Sequence, residues 1–225
     1  MNFMNYPRIV LFDLDGVILN TESVYLDLML KYNKKINLPI SKRFYINNLL
    51  GKTKNEITYH LYKKFKTKFK EKEYWDDLFK YREEYLKNNL LEIKDGFVPL
   101  FKYLKKRGIS IGIVTSNSII LVKQLLLNAG ININDFDIII TREDVKSTKP
   151  APDLYLKAIE YLKINKNEVI AIEDSNVGIR SALSAGINVI NVKDIDFIEN
   201  NLRKKCILAE ESLNGVLNFF KEMRD

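Results

Sequence analysis

Apolar residues fall along this chain in two rhythms. Short, mainly apolar runs occur at Ile9 to Phe12, Ile109 to Val114, Phe136 to Ile140, Val169 to Ile172 and Ile187 to Asn191. Their length and β-branched content predict strands, most of them buried on both faces. Helical spacing fills the intervals. Phe97, Leu100, Phe101 and Leu104 form a stripe that stops at Gly108, and Ile119 to Asn128 form another ahead of Gly130. Pro152 to Leu162 and Ser175 to Ala185 are predicted as two further helices. This alternation predicts an α/β fold, a doubly wound parallel sheet between layers of helix.

One long segment breaks the alternation. Between Asn20 and Leu90 only the helical period recurs, at Ile57, Leu61 and Phe65, then at Tyr74, Leu78 and Tyr85 beside Trp75, Phe79, Leu86 and Leu90. Such spacing reports burial, so the aromatic stripe is expected to be helical core before it is a ligand box.

Chemistry gathers where the strands run out. Asp13 and Asp15 stand at alternate positions after the first strand, so an extended chain points both to one side, and Gly16 lets it turn away. Paired carboxylates there are costly unless a cation or a proton is shared. Thr115-Ser116-Asn117 end the second strand with two hydroxyls and an amide that can hold phosphate oxygens. Lys149, ahead of Pro150-Ala151-Pro152, offers a point charge suited to phosphate. Glu173 and Asp174 close a later strand just before a helix begins. Open parallel sheets bind ligands outside the carboxyl ends of their strands, and all four segments lie at such ends. Oxygen ligands from Asp13, Asp174 and a main-chain carbonyl suit a hard divalent ion, magnesium first. One histidine and one cysteine make zinc a poor candidate.

In their order along the chain, Asp13-Leu14-Asp15-Gly16-Val17, Thr115-Ser116-Asn117, Lys149-Pro150 and Glu173-Asp174 resemble the four motifs of the haloacid dehalogenase superfamily. The branch they resemble includes beta-phosphoglucomutase and sugar-phosphate phosphatases. That resemblance implies a Rossmann-like core over residues 1–19 and 91–225, and an inserted all-helical cap over residues 20–90 that covers the site and chooses the acceptor. It implies Asp13 as the nucleophile that forms an aspartyl-phosphate. Asp15 is then the general acid and base. Magnesium would be held by Asp13, the main-chain carbonyl of Asp15 and Asp174, with Glu173 acting through metal-bound water. Lys149 offsets phosphoryl charge. The phosphate-binding hydroxyl is Thr115 or Ser116, with Thr115 favoured as the residue directly after the strand.

Asp15 argues for a phosphatase or a mutase, and the cap separates these two. Tyr25 stands where beta-phosphoglucomutase has a histidine that helps the sugar hydroxyl to attack, which weakens the mutase reading. Gly51-Lys52-Thr53-Lys54 resembles the cap loop that holds distal phosphate charge, with Lys54 in place of an arginine. The expected function is a magnesium-dependent phosphatase of small phosphomonoesters, in particular sugar phosphates. The alternatives are a sugar phosphomutase and a non-catalytic phosphometabolite-binding protein.

Composition narrows the rest. The chain has 225 residues, 46% of them hydrophobic, enough for one core and a modest inserted domain. No run of about 18 apolar residues occurs, so no membrane span is expected, and Met1 to Pro7 does not resemble a secretory signal. Cys206 is the single cysteine, which excludes an internal disulfide and fits a reducing cytoplasm. A net charge of +7 raises the question of nucleic acid. Lysines are spread along polar helix faces, however, and the nearest thing to a charge run, Lys63 to Lys72, is interrupted by Phe65 and Phe69. The expected partner is therefore a small phosphorylated metabolite drawn in by the positive field, with no nucleic acid, no membrane, and a monomeric chain.

Overall fold

The computed structural model describes residues 6–195 and 197–223. Strand β1 (Ile9–Phe12) is followed by four helices, α1 (Thr21–Lys35), α2 (Lys42–Asn48), α3 (Lys54–Phe65) and α4 (Glu71–Asn88). Next come α5 (Phe97–Lys106), β2 (Ser110–Val114), α6 (Ile119–Asn128), β3 (Ile138–Ile140), α7 (Asp153–Leu162), β4 (Val169–Glu173), α8 (Asn176–Ser184) and β5 (Asn188–Val192). Helix α9 (Asn200–Arg203), strand β6 (Leu208–Glu210) and helix α10 (Leu213–Glu222) complete the order. The described residues form two compact units, one up to Asn20 and from Glu92 on, the other Thr21–Leu91.

In the first unit six parallel strands lie in the order β3-β2-β1-β4-β5-β6. Strand β1 is central, with Ile9 opposite Ser110 of β2 on one side and Val169 of β4 on the other. All four of its residues are buried, as a strand covered on both faces requires. The chain winds outward from β1 to β3, then returns to β1's other edge as β4. Strand order therefore reverses between β1 and β4, the place where doubly wound sheets open a crevice at their carboxyl ends. Ile9, Leu11, Val169, Ala171 and Val189 pack with Leu154 and Ile179 of the flanking helices.

The second unit is helical, with a core built from Leu26, Met29, Tyr32, Leu49, Leu61 and Tyr74 among others. The predicted aromatic stripe is only partly core. Tyr74 and Leu86 are buried, while Phe79 and Leu90 are exposed. Phe79 instead lies beneath the guanidinium of Arg82, 4.8 Å from its ring centroid, and Leu90 falls after α4 has ended.

Several element edges also differ from expectation for identifiable reasons. Pro152 precedes the helix it opens, and Ser175 caps α8 by accepting the Gly178 N–H. Residue 137 stands outside β3; its N–H still donates to the Ile111 carbonyl at 2.8 Å, and its carboxylate accepts the Ile111 N–H at 2.7 Å. Among the described residues, no helix is long and apolar enough to cross a membrane.

Candidate active site

The Asp13 N–H donates to the Ile172 carbonyl at 3.0 Å, which carries the β1–β4 pairing one residue past the strand. Asp13 is thereby set at the mouth of the crevice while Leu14 is wholly buried in the core. The chain then turns within a few residues. Ile18 and Leu19 both donate to the Leu14 carbonyl, and Gly16 donates to the Leu19 carbonyl at 2.8 Å. Gly16 has φ of +73°, a conformation that a side chain disfavours.

Lys149 draws the cluster together. Its Nζ donates to Asp13 Oδ1 at 2.6 Å and to the Val114 carbonyl at 2.8 Å, and it lies 2.7 Å from Glu173 Oε1. Three donors thus meet three acceptors, and the side chain is only 5% exposed. Burial alone would lower the lysine's pKa, but the Asp13 and Glu173 carboxylates outweigh it and hold the pKa above the ordinary lysine range.

Glu173 is completely buried, which raises its carboxyl above the usual range; Lys149 opposes that rise and Asp13 adds to it. Its Oε1 also accepts the hydroxyl of Tyr155, while Oε2 is buried with no hydrogen-bond partner among the described residues. Gly178, in the first turn of α8, leaves the room this carboxylate occupies, since a Cβ there would collide with it.

Oxygens of Asp13, Glu173 and Asp174 lie within 4.8 Å of one another, and all three residues are buried. When ionised, three carboxylates against one ammonium leave two negative charges. That excess, with an all-oxygen donor set and an orphaned Glu173 oxygen, fits a hard divalent cation such as magnesium.

The remaining expected residues divide. Asp15 accepts the Asn117 Nδ2–H at 2.6 Å, so the first and second motifs touch directly. Thr115 is buried; its N–H continues the sheet to the Ile140 carbonyl, and its hydroxyl oxygen accepts the Asn117 N–H at 3.1 Å. Ser116 is exposed. Lys54 belongs to the helical unit, at the start of α3, with its ammonium 5.3 Å from the centroid of the Trp75 ring.

Two contributors carry no motif signal. Tyr155 reads in the sequence as one more apolar helix position, yet it clamps Glu173. Asp194 lies just past β5, where its Oδ1 accepts Lys94 Nζ at 2.6 Å.

Comparison with known proteins places this arrangement. The profile of haloacid dehalogenase-like hydrolases matches residues 10–192. The chain belongs to that family. It is 32% identical over 189 residues to a Caldanaerobacter subterraneus protein assigned as a pyrophosphatase, covering 82% of this chain and 80% of the relative. A phosphorylated carbohydrates phosphatase of Thermotoga maritima is 24% identical over 181 residues, covering 80% of this chain and 82% of that protein. Among solved structures, a Thermotoga maritima protein assigned as a beta-phosphoglucomutase superposes with a TM-score of 0.80 at 23% identity, covering 96% of this chain and 99% of its own. A beta-phosphoglucomutase from Clostridium difficile is 25% identical, with a TM-score of 0.73 and 96% of each chain covered.

Proposed function

We propose that this hydrolase is a magnesium-dependent phosphatase of small phosphomonoesters, sugar phosphates in particular, working through an aspartyl-phosphate on Asp13. The observation that carries the reading is the buried Asp13 carboxylate just past the central strand, held by Lys149 and gathered with Glu173 and Asp174. Phosphatase-named relatives that match most of the chain's length support it.

In this reading a carboxylate oxygen of Asp13 attacks phosphorus in line as the bond to the leaving oxygen breaks. Asp15, oriented by Asn117, gives its proton to that oxygen. The regenerated Asp15 carboxylate then takes a proton from the water that attacks the aspartyl-phosphate, releasing inorganic phosphate and restoring Asp13. The Thr115 hydroxyl donates a hydrogen bond to a phosphoryl oxygen, and Lys149 offsets the charge there. Magnesium bound among Asp13, Asp174 and the main-chain carbonyl of Asp15 would add positive charge at those same oxygens. We assign selection of the substrate to the helical unit, with Lys54 as its candidate contact for distal phosphate.

A sugar phosphomutase is the second reading, favoured by the likeness to the Clostridium difficile enzyme. One assay separates the two. The purified chain with magnesium is given a panel of sugar phosphates and pyrophosphate, and both phosphate release and glucose 6-phosphate formation are followed. Phosphate release from sugar phosphates that EDTA abolishes is expected. Conversion of beta-glucose 1-phosphate without net phosphate release identifies a mutase, and inertness to the whole panel overturns both readings.

A further inference from the structure

Asp194 stands outside all four motifs, and its carboxylate is half satisfied. Lys94 Nζ takes Oδ1 at 2.6 Å, and the side chain of Asp194 is only 5% exposed. Lys94 is itself tied to the motif loop, since its N–H donates to the Ile18 carbonyl at 2.9 Å. Oδ2 is buried and has no hydrogen-bond partner among the described residues. A buried acceptor left in that state is costly, so a donor is expected to occupy the place it faces.

Gly16 shows where that place is. A Cβ added there would collide with Oδ2 of Asp174 and would lie 2.9 Å from Oδ2 of Asp194. Both carboxylates thus enter the room that the missing side chain leaves. Two acceptors cannot satisfy each other; a cation or a polarised water between them can. Asp194 is not in the group of oxygens gathered within 4.8 Å of one another by Asp13, Glu173 and Asp174. That argues against its being a further direct ligand of an ion held between Asp13 and Asp174. Magnesium keeps several of its waters when proteins bind it, and the protons of those waters need acceptors.

We infer that Asp194 is an outer-sphere carboxylate of the metal site: its Oδ2 accepts a hydrogen bond from a water of the ion's hydration shell, and Lys94 neutralises its charge. The inference rests on the magnesium reading above and assigns a residue that the motifs do not contain.

Magnesium titration by calorimetry tests it, with the melting midpoint in EDTA measured for each variant as a check on folding. Asp194→Asn is expected to bind magnesium about tenfold or more weakly. Lys94→Met is expected to bind it more tightly, because Asp194 then acts with an uncompensated charge. A pair that only braces the fold would lower the midpoint in both variants and leave both magnesium affinities unchanged, and that result overturns the inference. Asp174→Asn is the control for the underlying reading. Loss of binding there with unchanged binding in Asp194→Asn sinks the outer-sphere role alone, whereas wild-type affinity in Asp174→Asn sinks the magnesium site and the inference with it.

Discussion

At the scale of single residues, the site is a set of side chains whose charge is tolerable only in company. Asp13 is buried against Lys149, which is shared with Glu173, so removing one charge changes the chemistry without emptying the core. Asp13→Asn is expected to lower phosphatase turnover roughly a thousandfold or more while the far-ultraviolet circular dichroism stays unchanged. Appreciable residual activity would exclude the covalent route. Gly16 tests a different property, space. Gly16→Ala meets a positive φ and the carboxylate of Asp174 together, and is expected to cost about 1–3 kcal/mol in urea unfolding and to weaken magnesium binding.

Cys206 is the residue whose titration is most easily followed. Burial pushes its thiol up to about 11, with Arg203 opposing and Glu173 adding to the rise. The thiolate is the reactive form, so alkylation at pH 8 is expected to be slow in the native protein and fast after unfolding. The native rate should keep climbing until about pH 11. In stability the same shift favours the folded state fully below the ordinary thiol range, and the benefit is lost as pH rises through the folded value. A native rate that levels off near pH 8 to 9 would contradict this.

At the scale of elements, local signals and tertiary demands met most closely at helix starts. Thr53 accepts the Glu56 N–H while the Glu56 carboxylate accepts the Thr53 N–H, a reciprocal cap that opens α3 inside the lysine-bearing loop. Thr53→Ala is expected to cost about 1 kcal/mol, measured as a shift in the urea midpoint. The two apolar rhythms were legible in the sequence because each depends on residues only a few positions apart. The end of the chain was less legible. Strand β6 is three half-buried residues, too short for a period to register, and it forms because β5 offers an edge to pair with. Phe79 misled for the opposite reason, since helical spacing predicts a face but not whether a neighbour covers it.

At the scale of the whole molecule, the charge of +7 is spread along the chain and acts as a field. Anionic substrates should be drawn in by it, so kcat/KM for a sugar phosphate is expected to fall as ionic strength rises from 10 to about 200 mM while kcat changes little. Equal sensitivity of both would place the charge in the chemistry itself. The sequence by itself determined that Asp13, Thr115 and the Glu173-Asp174 pair stand at strand ends, because strand periodicity and a following turn are local properties, whereas Lys149, expected at such an end too, lies nine residues past β3 and reaches the site through its loop. Only the tertiary structure decided the partnerships: Lys149 between Asp13 and Glu173, Tyr155 on Glu173, Asn117 on Asp15, and Asp194 facing Asp174 across Gly16. The physical reason is distance along the chain. These contacts join segments up to 178 positions apart, counting from Gly16 to Asp194, through parallel pairing around β1, and no short-range pattern encodes which strand ends will meet.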